Sequence, residues 1–443
     1  MRREEISDAL QYLDDEIIEE VEQVRSRAKS PKRNWQRWGT VAACLCLVMT
    51  GMYFWQFGRL QQGEGLPSET QESGKHLLQD ETQNVVGGLE NQENGILPML
   101  TLSDWQSGSM GYEGVLQYDA ANINWDAPWI AEETPETMPV YRNGSYQEIG
   151  VPYGLTEEEI WNRLDAVAAA LSWEVRELEY DRIGQSTDGD KVVDGDKVSD
   201  DYGLPVGTVL RITAQTAEGQ IEAEADGTVT FFFEKGTDRD GEDGLPLPKP
   251  YSFTHCDTTD QQAEEVMDYL TDRFADLLDM EQPQKIRSGD YNIYGEMIRR
   301  YHVYEGSGDM VEDMLNYTFR YVQFAPNDAG ELMLIRLYDG LLCSEKIGDY
   351  PIITAEEAGE LLLAGCYFTS VPYPVAGEEY VAKVELVYRN SATEAVQIPY
   401  YRFWVEIPEM ARDNGLKDFG AYYVPAVESQ YIGNAEIYDG RFN

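Results

Sequence analysis

Carboxylates are the side chains with which this chain could do most chemistry. Their densest grouping is a six-residue repeat, Asp188-Gly-Asp-Lys-Val-Val-Asp-Gly-Asp-Lys-Val-Ser-Asp-Asp201. A calcium loop offers oxygen ligands at alternate positions and closes with a bidentate acid. Counted from Asp190, the third position is Val192, so the segment reads as a solvated excursion between strands, with cation binding as the alternative. A second grouping sets Trp105, Tyr112, Tyr118, Trp125 and Trp129 beside Asp104, Asp119 and Asp126. Rings next to carboxylates can stack on wall sugars and bond their hydroxyls, whereas buried aromatics of an irregular N-terminal layer are the commoner arrangement. Glu157-Glu158-Glu159 follows Thr156 and reads as the first turn of a helix, where the dipole favours negative charge.

Metal and nucleophile chemistry find little material. The chain has three histidines, His76, His255 and His302, and no CxxC, HExxH, GxSxG or glycine-rich phosphate loop. His255-Cys256 could ligate a metal only with distant partners that no spacing identifies. We therefore expect no catalytic residue, no cofactor and no metal, and a protein that works by binding. Cys256, Cys343 and Cys366 are too few for a disulfide scaffold and allow one bridge at most. Asn143-Gly-Ser145 and Asn316-Tyr-Thr318 match the short glycosylation pattern, which arises often by chance.

The elements that would position these residues begin with an uncharged run, Thr40 to Phe57. At helical rise it covers roughly 27 Å, the thickness of a bilayer's hydrocarbon core. Arg25, Arg27, Lys29, Lys32, Arg33 and Arg37 precede it, and Arg59 and Lys75 are the only cations between it and Arg142. That asymmetry predicts a cytoplasmic N-terminus, with Trp35, Trp38, Tyr53 and Trp55 anchoring the span at its two ends. The run closes in Tyr53-Phe54-Trp55, without the small-residue site of a cleaved signal. Val41-Ala42-Ala43-Cys44 has the form of a lipoprotein box but stands at the start of the run instead of its end; Cys44 and Cys46 read as small apolar residues of a membrane helix.

Before the span, Ile6, Leu10, Leu13, Ile17, Val21 and Val24 form an apolar stripe on a short helix that needs a cover. Self-association, the inner leaflet and a cytoplasmic protein all remain open, although the helix's own carboxylates disfavour an anionic leaflet. After the span, residues 58–98 are rich in Gln, Glu, Gly and Ser and read as a disordered linker reaching about 35 Å. The net charge of −47 falls almost entirely beyond residue 39, which excludes nucleic acid as a partner of the outer region. With 42% apolar residues and 29 Tyr, this acidity does not imply disorder.

Beyond the linker the chain repeats a helix followed by alternating strands. Thr156-x-x-Glu159 opens a helix carrying Ile160, Leu164, Val167 and Leu171, then strands are expected at Val209 to Ala214, Gln220 to Ala225 and Thr228 to Phe233, with Asp226-Gly227 as a type I′ turn. Thr259-x-x-Gln262 opens a second helix with Val266, Leu270, Phe274 and Leu277, before strands at Arg299 to Tyr304, Tyr317 to Phe324 and Leu332 to Tyr338. Thr354-x-x-Glu357 opens a third, before strands at Tyr380 to Arg389 and Tyr400 to Glu406. The fold class expected is α+β, helices lying on antiparallel sheets. The chain divides into a cytoplasmic segment over residues 1–37, a transmembrane helix 38–57, the linker 58–98, and extracytoplasmic domains 99–245 and 246–443.

The third unit, Ile353-Thr-Ala-Glu-Glu-Ala358 with VAKVELVYR and YYRFWVE, resembles a PepSY-type domain, a small extracytoplasmic α+β module. The layout is similar to membrane-anchored auxiliary regulators of a Gram-positive cell-wall sensor kinase. The whole chain resembles largely uncharacterised clostridial (Firmicute) single-pass membrane proteins through ISDALQYLDDEIIEE, WQRWGTVAACLCLV, SGDYNIYGE, GDYPIITAEEA and GAYYVPAVESQYI. Some proteins with this cytoplasmic start look like membrane anti-sigma factors, although the chain lacks the zinc-binding His and Cys pattern of the best-known of these. The resemblance implies topology more than function. In a regulatory reading the partners are a sigma factor or kinase in the cytoplasm and a peptide, wall glycan or membrane protein outside; in the alternative the outer domains are an envelope binding module or an unrecognised hydrolase with no cytoplasmic signalling role. Protease added to intact protoplasts is expected to remove the bulk of the chain and leave a membrane-bound stub; protection of the C-terminal region would refute this topology.

Overall fold

Three threonines start helices by one mechanism. Thr156 accepts from the Glu159 amide while the Glu159 carboxylate accepts from the Thr156 amide at 2.8 Å, which opens α1 (Glu157–Leu171). Thr259 and Gln262 do the same for α2 (Asp260–Arg273), which is followed by the short α3 (Ala275–Leu278). Asp309 caps α4 (Met310–Phe319) by accepting from Val311 and Glu312, and Thr354 with Glu357 opens α5 (Ala355–Leu363). The protein is a computed structural model that describes residues 97–102, 113–123, 127–146, 153–183, 204–233, 244–256, 258–390, 394–410 and 412–434, all within one unit.

In chain order the strands are β1 (Gly114–Gln117), β2 (Thr137–Arg142), β3 (Glu177–Arg182), β4 (Val209–Gln215), β5 (Gln220–Glu224), β6 (Val229–Phe232), β7 (Pro283–Tyr291) and β8 (Met297–Glu305). They continue as β9 (Tyr321–Pro326), β10 (Leu332–Leu337), β11 (Glu345–Pro351), β12 (Val381–Tyr388), β13 (Val396–Gln397), β14 (Pro399–Glu406) and β15 (Lys417–Pro425). The fold class is α+β, and every strand pair among the described residues is antiparallel.

The largest sheet has eight strands in the order β3-β4-β5-β6-β10-β9-β8-β7. It is two meanders, each introduced by a helix, whose last strands pair: Val229 lies opposite Leu337 and Phe231 opposite Ile335. Four strands that precede residue 245 and four that follow it thus share one sheet. Because side chains alternate between faces, registration aligns Ile212, Ala223, Val229, Leu337, Val322 and Val303 in one row across six strands. Ile160 and Leu164 of α1 and Val266 and Leu270 of α2 close over that face and bury it.

A four-stranded sheet, β1-β15-β14-β12, and a three-stranded one, β11-β2-β13, carry the rest. Strand β14 supplies both faces of its sheet. Tyr401, Phe403 and Val405 enter one core with α5's Ala358 and Leu362, while Tyr400 and Trp404 enter another with Leu100, Tyr350 and Ile432.

Two local expectations are corrected. Tyr317, Thr318 and Phe319 are not in a strand but end α4, because the Asp309 cap starts a helix whose Met314, Leu315 and Phe319 are buried. The Asp226-Gly227 turn is not type I′. Only Gly227 has a positive φ, of 94°, and its amide donates to the Glu224 carbonyl, while Glu224 donates to Thr228, so a tight turn is followed by a glycine bulge. Among the described residues no helix is long and apolar enough to cross a membrane; Thr40 to Phe57 lie outside them.

Phe231 has no exposed surface and meets Trp173 and Phe233 edge-on at 5.9 and 5.7 Å, at the seam of the two meanders. Phe231→Ala is expected to cost about 3–5 kcal/mol in a denaturant titration of the whole chain. A loss below about 1 kcal/mol would mean that the seam is not within a packed core.

Candidate functional site

The row on the other face of the eight-stranded sheet has the opposite character. Glu179, Thr213, Glu222, Thr230, Arg336, Gln323, His302 and Ile286 stand opposite one another in succession, one per strand, from margin to margin. Each but Glu179 and Ile286 is chain neighbour to a residue of the apolar row, so a step of one residue along those six strands exchanges apolar for polar side chains. Of these, Thr213 and Thr230 are buried, as is the apolar Ile286 at the row's end. Lateral bonds tie this face together. The Arg336 Nε donates to Thr230 at 2.8 Å and its Nη1 to the Tyr338 hydroxyl at 3.2 Å, and Arg211 reaches Asp181 and Glu222 at 3.4 and 3.5 Å. Tyr321 stacks on Tyr338 at 4.4 Å, and the His302 ring lies tilted 5.1 Å from it. The face offers donors, acceptors, both signs of charge and ring edges over a broad, laterally braced area, which suits recognition of an extended partner.

His302 carries the row's unpaired ring nitrogen. Its Nε2 is shielded from water and has no hydrogen-bond partner among the described residues. Burial, reinforced by the Arg300 guanidinium, lowers its pKa from 6.5 to about 4. Burial likewise raises the neighbouring Tyr321 hydroxyl, so both rings stay neutral at physiological pH.

A second polar group lies inside the four-stranded sheet. Glu385, essentially buried, accepts from Arg402 at 2.8 Å, Lys383 at 2.9 Å and the Trp404 indole at 3.0 Å. Burial alone would raise the Glu385 carboxyl, but Arg402 and Lys383 hold it below the usual range. Arg389 pairs with Glu394 and lies 4.9 Å over the Tyr423 ring, whose hydroxyl donates to Glu113. These groups pair with one another and hold strands together, although the Glu394 Oε2 is buried without a hydrogen bond among the described residues. A cavity of about 350 Å³ beside β7 is lined by Lys285 and Arg299, whose charges are bound by Asp268 and Asp260.

The residues singled out by sequence are mostly dispersed. Ile6, Leu10, Leu13, Ile17, Val21 and Val24 lie outside the described residues, as do the repeat from Asp188 to Asp201 and Trp105, Tyr112 and Trp125. Trp129 is buried against Tyr401, Tyr118 is exposed beside Tyr291, and Asp119 caps a short turn by accepting from Ala121. Glu157 is held by Arg182, whose hydrogen bond lowers the carboxyl's pKa, and Glu159 serves the capping box. His255 and Cys256 act through their backbones, which bond to Arg299 and bridge to Ile298. Cys256, Cys343 and Cys366 form no disulfide, and burial raises the Cys343 thiol. The side-chain amides of Asn143 and Asn316 are buried and donate to the carbonyls of Glu394 and Glu305, which closes both sequons to glycan transfer in the folded state. Among the described residues no three His, Cys, Asp or Glu side chains converge where a metal could sit.

The polar row escaped sequence reading because its members lie far apart in the chain. Only the alternation within each strand signalled it. No protein-family model matches this chain, and no curated protein matches it.

The sign of the His302 effect is fixed by its lowered folded pKa: the unfolded state takes the proton first, so stability is lost as pH falls from about 6.5 toward 4. Wild type should lose about 3 kcal/mol relative to His302→Phe, which keeps the ring, across that window in paired denaturant titrations. Parallel pH profiles for the two proteins would show that the imidazole titrates normally in the fold.

Proposed function

We propose that this chain is a membrane-anchored binding and regulatory protein. Its outer region recognises a peptide, a wall glycan or a neighbouring membrane protein, and its Ile6 to Val24 stripe passes the envelope state to a cytoplasmic sigma factor or kinase. The observation that carries the binding half is the braced polar row across the eight-stranded sheet, set back to back with a packed core. The uncharged run from Thr40 to Phe57, with its basic flank, supports the anchor. The resemblance of the Ile353 to Glu406 segment to PepSY-type modules, and of the layout to kinase auxiliary regulators and membrane anti-sigma factors, supports the regulatory half.

Catalysis at neutral pH needs a nucleophile, base or metal in a tuned site. The clustered charges of the described core are instead bound to one another, as in the Glu385 and Arg389 pairs. A binding role uses what the fold supplies, namely sheet faces, sheet margins and negative charge.

Full-length protein crosslinked in cells is expected to capture a sigma factor or kinase. Leu10→Asp with Leu13→Asp should abolish that capture while leaving the denaturation midpoint of the outer region unchanged. Capture that persists in the double variant would remove the signalling role and leave an envelope binding module. Hydrolysis of peptide or wall substrates that survives purification and disappears on changing one carboxylate would overturn the binding reading itself.

A further inference from the structure

The two margins of the eight-stranded sheet are treated differently. At β7 the neighbouring β1 segment covers the margin: the Gln117 side chain donates to the Gly289 carbonyl at 2.7 Å and Tyr118 packs edge-on against Tyr291. At the other margin β3 pairs with β4 alone, and its far edge meets no strand among the described residues. An open edge presents unpaired N–H and C=O groups to any chain able to lie alongside.

The side chains of β3 state what such a chain must look like. Glu177, Glu179 and Asp181 point to the polar face, with both glutamates exposed, while Leu178 and Tyr180 point to the helix face, where Leu178 packs on the core and Tyr180 stays 37% exposed. A second copy of this strand, added with its faces matched, would set acid opposite acid at every position of the polar face, which is repulsive. Nucleic acid and anionic lipid are repelled by the same carboxylates and by the net charge of −47. Asp181 is engaged by Arg211, and the Arg182 guanidinium lies 5.0 Å over the Tyr180 ring. A strand with basic residues on one face and apolar residues on the other would therefore pair with Glu177 and Glu179, cover the rest of Tyr180 and satisfy the backbone edge together.

We propose that β3 accepts an extended peptide segment of alternating basic and apolar residues by strand addition. The inference rests on the reading that the outer region works by binding, and it names the partner's chemistry. It also places the contact where the polar row reaches the sheet margin, at Glu179.

The test uses full-length protein in detergent and two labelled peptides of one composition: lysine alternating with valine, and the same residues in two blocks. Both carry the same charge, so attraction to an acidic surface is common to them, and about 0.15 M salt screens most of it. The alternating peptide should bind saturably and about tenfold more tightly than the blocked one, and it should slow amide hydrogen exchange in Glu177–Arg182. Glu177→Lys with Glu179→Lys, at exposed positions, should weaken it by about tenfold. If that variant does not fold, Glu177→Gln with Glu179→Gln is read instead, with a smaller loss. Equal binding of the two peptides, or binding with no exchange protection in β3, would overturn the proposal. The cytoplasmic capture described above does not involve β3, so its survival alongside such a result would remove the edge assignment alone.

Discussion

The pairing of β6 with β10 is the contact on which the larger sheet depends. Each meander taken alone would be a four-stranded sheet covered by its own helices. Joined edge to edge, they present one row of Ile212, Ala223, Val229, Leu337, Val322 and Val303 to α1 and α2, and a single core forms beneath both. The partners are about a hundred residues apart in the chain, so the loop-closure entropy is large and the seam forms only together with the whole. Aromatic packing of Phe231 with Trp173 and Phe233 at that seam offsets this cost.

Polar groups are handled in two ways, which on the proposed reading separates structure from recognition. In the four-stranded sheet Glu385 has surrendered water and depends on the partly exposed Arg402 and Lys383; removing both cations would leave its carboxylate in low dielectric. On the open face of the eight-stranded sheet Arg211, Arg336 and Gln323 make lateral bonds at 2.8–3.5 Å while keeping contact with solvent. Those bonds hold the side chains in place without consuming every donor and acceptor. A face so braced loses little side-chain entropy on meeting a partner.

The acidity of the chain acts on this surface from all sides. It repels polyanions. It also biases the choice of partner toward cationic segments, since carboxylates exceed cations both at the β3 margin and overall. Function on this reading is a matter of which backbone edges and polar faces the fold leaves open.

Much of the local structure was legible in the sequence. The capping threonines at 156, 259 and 354 marked three helix starts, because a cap needs only residues three apart. The alternating runs at Val209, Gln220 and Tyr400 marked strands, because side-chain period is a property of the extended chain. Helix α4 was missed because its aromatic end has strand-like composition, and only the Asp309 cap and the burial of Met314 and Phe319 decide in favour of a helix. The Asp226-Gly227 turn took a bulged form where Ala225 donates to the Leu210 carbonyl of β4 and accepts from the Leu155 amide ahead of α1. By itself the sequence determined the α+β class, the alternation within each strand and the acidic, histidine-poor chemistry, since each is set by neighbours along the chain. The order of strands, the seam between meanders, the row from Glu179 to Ile286 and the place of β3 at a margin among the described strands belong to the tertiary structure, because they arise from pairings between residues far apart in sequence, which alternation permits but cannot choose.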